Sequence, residues 1–145
     1  MKISTKGRYA LRMLLDLAER GDGGFVSLKE IAERQNISRL YLEQIDSLLN
    51  TSDILRANRG KQGGYRLAMD PAEYTVGQIL RITESNLAPV ACLEDKTNRC
   101  DRAVFCKTLP LWKGFYQVIN NYFDGITLRD LLDRHDGRSA DFHVI

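Results

Sequence analysis

Thiols are scarce and confined. Residues 1–91 and 107–145 contain no cysteine, and Cys92, Cys100 and Cys106 fall in one charged, turn-rich stretch. An odd count excludes a stable disulfide framework. Histidine is almost absent, with only His135 and His143 near the far end, so a histidine-rich zinc site has little to draw on. The sequence shows no nucleophile–base pair, phosphate-cradling glycine loop or pair of catalytic acids, which argues against an enzyme. Long apolar runs and a basic-then-apolar leader are lacking, so the expectation is no membrane span and a reducing, cytoplasmic setting. A strong charge of one sign is missing too, since the formal net charge is +2. What remains, 43% hydrophobic and 28% charged residues, is ordinary for one soluble domain with an appended dimerisation element.

The small net charge is unevenly placed. Residues 1–66 carry 12 Lys/Arg against 8 Asp/Glu, and residues 67–145 carry 9 against 11. The basic end is therefore the one to suit a polyanion. It opens with Lys2, Lys6, Arg8 and Arg12, followed by Leu11, Leu14, Leu15 and Ala18 at helical spacing, begun by Ser4 or Thr5 and ended at Gly21, Gly23 and Gly24. The plain reading of its cations is solvation; the sharper one is a first turn lying along a phosphate backbone.

Ser27-Leu28-Lys29-Glu30 is a capping box that starts a short helix presenting Leu28, Ile31 and Ala32 inward and running to Gln35. Asn36 suits a left-handed turn and Ile37 returns to the core. Ser38 then caps a second helix, Arg39 to about Asn50, striped by Leu42, Ile45, Leu48 and Leu49. Two short helices around a tight turn form the helix-turn-helix pattern. The exposed face of the second offers Ser38, Arg39, Tyr41, Glu43, Gln44 and Ser47 to base edges. Gln44 suits adenine, Glu43 the cytosine amino group, and Arg39 guanine or phosphate. An ordinary polar helix face is the competing reading.

After Asp53 the period changes to strand-like. Ile54–Ala57 and Tyr65–Ala68 flank Asn58-Arg59-Gly60-Lys61-Gln62-Gly63-Gly64, a glycine-rich hairpin tip whose Arg59 and Lys61 could enter a minor groove. A helix-turn-helix followed by a basic hairpin is a winged helix. Asp70-Pro71 ends the wing, and Thr75-Val76-Gly77-Gln78 caps a helix through about Thr83. Ser85 to Val90 reads as a linker. Beyond the cysteines, Pro110 opens a long helix on which Leu111, Phe115, Val118 and Tyr122 alternate in threes and fours, broadened by Trp112, Ile119 and Phe123. One small winged domain cannot cover so wide a stripe, so a second copy of the helix is the expected partner. Thr127 caps a last short helix with Leu131 and Leu132, and residues 133–145 read as a loose polar tail in which His135 and His143 are solvated.

Four readings compete for the thiol triplet C-x7-C-x5-C: inert cysteines, structural zinc, a thiol–disulfide switch and an iron–sulphur cluster. Zinc loops usually show C-x2-C pairs or nearby histidines. Core cysteines would be scattered among apolar positions. A cluster fits the pattern best, with a fourth position left open.

The segments Lys2–Ala10, Ile37–Gln44 and Arg59–Tyr65, in that order, resemble the Rrf-type bacterial winged-helix transcription regulators. The triplet places the chain in their iron–sulphur subgroup, which is IscR-like and also similar to NsrR and RirA. The resemblance runs from Met1 to about Leu132. It implies a mainly α fold with a small β wing: a winged helix-turn-helix domain at 1–84, a linker and cluster loop at 85–107, and a dimerisation helix with a short C-terminal helix at 108–132. It further implies a homodimer on double-stranded operator DNA, a cluster on Cys92, Cys100 and Cys106 that favours 2Fe-2S over 4Fe-4S, and DNA contacts from Glu43, Gln44 and Arg59. Two departures leave the fourth ligand open. Lys107, Thr108 and Leu109 stand where IscR-like chains place a histidine, and Arg8 stands where NsrR-like chains place an aspartate. Glu94, Asp95, Asp101, a partner residue, solvent or a small thiol are the candidates. The main alternative is the same fold sensing cysteine oxidation, nitric oxide or iron level without a 2Fe-2S cluster; an adaptor that binds protein is a further one.

Overall fold

The computed structural model describes residues 1–20 and 22–135. Helix α1 (Thr5–Glu19) is capped by Ser4, whose hydroxyl accepts from the Gly7 N–H, and α2 (Leu28–Gln35) carries the complete Ser27/Glu30 capping box. Asn36 ends α2 at φ 51° and ψ 50°, the left-handed turn expected of it. Helix α3 (Arg39–Thr51) follows under a Ser38 cap. Strands β1 (Leu55–Asn58) and β2 (Gly64–Leu67) pair antiparallel, Leu55 opposite Leu67 and Asn58 opposite Gly64. A 3-10 turn at Pro71–Glu73, capped by Asp70, leads to α4 (Val76–Thr83). Helices α5 (Leu109–Asp124) and α6 (Leu128–His135) complete the chain.

One apolar core fills the angle between α1, α2 and α3. Ala10, Met13 and Leu14 of α1 meet Ile31 of α2 and Leu42, Ile45 and Leu49 of α3, all fully buried. At its floor lies Tyr74, fully buried, whose hydroxyl donates to the Ile54 carbonyl (3.1 Å) and accepts from the Met69 N–H (2.8 Å). A burial of that size is tolerated because both polar functions of the phenol are satisfied. Asp16 is buried among these helices, 3% exposed, and Arg34 grips it through Nε (3.1 Å) and Nη2 (2.6 Å) while Gln35 adds a third bond at 2.9 Å.

Three boundaries differ from the sequence expectation. The segment at 85–90 is no free linker, because Leu87 and Ala88 are buried and Leu87 joins Val76, Leu80 and Ile126 in a second cluster. Helix α6 belongs to the winged core: Leu128 is fully buried, its N–H donates to the Tyr74 carbonyl (3.0 Å), and Val76 donates to Ile126 (2.8 Å). Leu128, the first residue of the helix, is its fully buried anchor, and Leu131, expected on the inner face, packs partly buried against both clusters. The same helix continues to His135, so the polar tail begins later than residue 133. His143 and the side chain of His135 lie outside the described residues.

Helix α5 stands apart. None of its residues is buried. Tyr116 and Phe123 lean on the second cluster, and Arg81 of α4 holds its end by a two-pronged contact to Asp124 (2.7 and 2.8 Å) and one to Asn120 (2.7 Å). Its other face leaves Leu111, Phe115, Val118 and Tyr122 exposed.

Candidate nucleic-acid interface and cysteine loop

The buried stripe of α3 fixes which side chains face outward. With Leu42, Ile45 and Leu49 in the core, Ser38, Arg39, Glu43, Gln44 and Ser47 are exposed. Arg39 Nε lies 3.1 Å from Glu43 Oε1, so the cation of the first turn sits beside a carboxylate that would otherwise repel a phosphate backbone. Gln44 is exposed and has no protein partner among the described residues. The Ser38 hydroxyl is engaged as the helix cap, accepting from the Tyr41 N–H at 3.2 Å, and keeps its own proton to donate. Tyr41 is half-buried and meets Tyr9 of α1 edge to face at 5.5 Å, with Arg12 over the Tyr9 ring at 5.2 Å. Of the proposed readers, it is the one committed to packing.

Tyr65 helps to hold the wing beside this face. Tyr65 of β2 exchanges backbone hydrogen bonds with Val26 (2.9 and 2.8 Å), and Gly64 lies so close to the Val26 backbone that no Cβ fits there. The Tyr65 hydroxyl meets Asp46 of α3. Burial pushes the Asp46 carboxyl up, a shift opposed by the Tyr65 hydrogen bond and reinforced by Glu43, and its Oδ1 is buried without a partner. Nothing in the sequence flagged Asp46, because its role depends on a residue nineteen positions away across the hairpin. At the tip, Gly60 takes φ 125°, a conformation that glycine alone adopts readily, and Arg59 and Lys61 beside it are exposed.

No residue between 91 and 107 is buried. Short 3-10 turns at Ala91–Leu93 and Ala103–Phe105 and an Asn98 side chain accepting from the Cys100 N–H (2.9 Å) give the loop its shape. Cys92, Cys100 and Asp95 line one open pocket, together with Thr97 and Arg99. Cys106 is placed elsewhere, at the foot of α5, with Sγ 3.4 Å from the Thr108 hydroxyl. That hydroxyl, then the Thr108 and Leu109 amides at the start of the helix, hold the Cys106 thiol below its ordinary value, with Arg102 assisting. All three cysteines are free thiols. Among the described residues no three Cys, His, Asp or Glu side chains gather closely enough for a metal ion, and the thiols expected to converge are divided between this pocket and the foot of α5. Three thiols on one loop are the donor chemistry that suits a soft metal.

Residues 3–134 match Rrf2, described as an iron-dependent transcriptional regulator. The chain belongs to the Rrf2 family. Among the relatives of this Rrf2 regulator, IscR of Aliivibrio salmonicida is 36% identical over 91% of this chain and 77% of its own length. The solved structure of T. potens IscR is 37% identical, with a TM-score of 0.76 over 97% of this chain and 93% of that one. CymR of B. subtilis, described as the global cysteine regulator, is 36% identical in its solved structure, with a TM-score of 0.76 over 92% and 98%. The chain is accordingly a winged-helix transcription regulator and not an enzyme, and its relatives include both IscR and CymR. No helix among the described residues is long and apolar enough to cross a membrane.

Proposed function

We propose that this Rrf2 regulator acts in the cytoplasm as a homodimer on a two-fold operator, with promoter affinity set by an iron–sulphur cluster on Cys92, Cys100 and Cys106. The observation that carries the reading is the placement of every thiol in one unburied loop between the winged domain and the foot of α5. The bare row Leu111, Phe115, Val118 and Tyr122 supports pairing of α5 with its copy, since an apolar face of that length is poorly suited to water. Each α3 would then enter a major groove, Arg39, Glu43 and Gln44 meeting base edges, Ser38 and Tyr41 lying at the groove wall, and Arg59 and Lys61 of the wing reaching the adjacent minor groove.

When bound, the cluster, 2Fe-2S in preference to 4Fe-4S, would supply a redox- and iron-sensitive occupancy of the loop. Cys92 and Cys100 share a pocket, and Cys106, at the foot of α5, would be the third ligand, so that a loaded loop would be joined to that helix. Asp95, on the same pocket, is the protein side chain best placed as a fourth ligand, and it contacts Arg99 at 3.7 Å. A bias of about 1–3 kcal/mol between two dimer poses would change operator affinity roughly 5–150-fold. Anaerobic purification with iron and sulphide counted per subunit tests this: coloured protein that loses its visible absorption on Cys92→Ala supports it, and colourless, iron-free protein overturns it.

A second reading is favoured by one observation: the Cys106 thiol lies beside the Thr108 hydroxyl at the start of α5 and is held below its ordinary value, which raises the share of thiolate, the form that reacts with oxidants. Regulation by cysteine oxidation would yield colourless protein whose DNA binding responds to peroxide and is restored by reductant.

A further inference from the structure

Every side chain proposed to read DNA from α3 is polar, yet the first turn of that face carries a leucine. Leu40 is 69% exposed and, among the described residues, is the only exposed large apolar side chain of α3. It is the second residue of the helix after the Ser38 cap, and it shares a stripe with Glu43, Gln44 and Ser47 at spacings of three, four and seven. The core stripe of Leu42, Ile45 and Leu49 lies on the other side, so packing within the chain gives no reason for a leucine at position 40. A solvated first turn favours acidic or small polar residues; this one holds no acid.

The occupant follows from what base pairs present. Major-groove edges offer donors and acceptors, none of which leucine can use, and one apolar group, the C5-methyl of thymine. Gln44, one turn further along the same stripe, suits the adenine edge. We propose that Leu40 is a specificity-determining residue that reads a thymine methyl in each half-site, beside the adenine contact of Gln44. This rests on the docking of α3 in the major groove set out above.

The test uses the full-length chain and duplexes it selects from a random-sequence pool. Each thymine of a half-site is replaced by deoxyuridine, which removes only the methyl, and affinity is measured at fixed salt for the wild type, Leu40→Ala and Leu40→Met. Burial of one methyl-sized group corresponds to about fourfold in affinity, so the wild type should weaken about fourfold at one position and about fifteenfold when both half-sites are changed. Leu40→Met should keep that discrimination, and Leu40→Ala should bind the thymine and deoxyuridine duplexes equally while retaining helical circular dichroism. Insensitivity of the wild type to every deoxyuridine, or an equal loss in Leu40→Ala, overturns the inference. Glu43→Ala and Gln44→Ala on the same duplexes separate the two failures. If both bind with unchanged affinity and preference, the docking of α3 is wrong; if they alter preference while the methyl test fails, only the role of Leu40 falls.

Discussion

Glu84, at the end of α4, accepts from both the backbone N–H (3.2 Å) and the hydroxyl (2.7 Å) of Ser4, the residue that caps α1. The contact ties the segment entering the cysteine loop to the helix that braces α3 through Tyr9 and Tyr41. It is a contiguous physical route by which a pull on the loop could reach the reading helix.

Gly7 tests that contact. Alanine would gain about 1 kcal/mol of helix propensity. Its Cβ, however, would run into the Glu84 carboxylate and lie 3.1 Å from Leu80 Cδ2 and 3.3 Å from Ile3 Cγ2. Displacing Glu84 forfeits two hydrogen bonds to a charged acceptor, each worth about 1.5–3 kcal/mol. Gly7→Ala should therefore lose about 2–5 kcal/mol in urea unfolding; a gain would show that Glu84 is not held.

Asp16 and Arg34 set the acid limb of stability. Burial opposes ionisation of Asp16, but hydrogen bonds from Arg34 and Gln35 outweigh it and leave the carboxyl below its ordinary 3.8. A carboxylate lowered by folding stabilises fully above its unfolded value, and that contribution is lost as pH falls below it. Arg34→Ala should cost about 2–4 kcal/mol at pH 7, because it leaves a buried carboxylate short of partners. Asp16→Asn should flatten the decline of the thermal midpoint below the ordinary carboxylate value.

The winged fold was legible because its signals are local. Ser27 with Glu30, the left-handed Asn36 and the Ser38 cap each act within a few residues, and the glycine-rich tip announces the hairpin. What escaped was long-range. Glu84 meets Ser4 across 80 positions, and Leu128 enters a core built mostly by residues before position 80. Apolar periodicity identified α5 but could not say which flank faces inward, and it turned out to be Tyr116 and Phe123. The three thiols were visible as a group in sequence, whereas their separation depends on two 3-10 turns that leave little trace in residue type.

Asp46 should act with the opposite sign to Asp16. Burial raises its carboxyl above 3.8, so the folded state favours the proton and stability from this group is lost as pH rises through the raised value. Asp46→Asn, whose amide oxygen still accepts from Tyr65, should stabilise the fold at pH 7 by on the order of 1 kcal/mol, read as a higher thermal midpoint. A lower midpoint would mean the charge is held by partners not seen in the chain.

Self-association should depend on the outer face of α5. Phe115→Glu and Val118→Glu place charges on exposed positions, so the subunit should stay folded while sedimentation equilibrium shows a shift from dimer to monomer. Operator affinity should fall with it. An unchanged dimer in both variants would assign pairing to another surface.

The most direct test of cluster-controlled binding compares operator affinity, under anaerobic conditions and at fixed salt, of one preparation before and after its iron is removed by chelation. A change between roughly 5- and 150-fold is expected, abolished in Cys92→Ala, whose affinity should equal that of the stripped protein. Equal affinity of loaded and stripped wild type would contradict it.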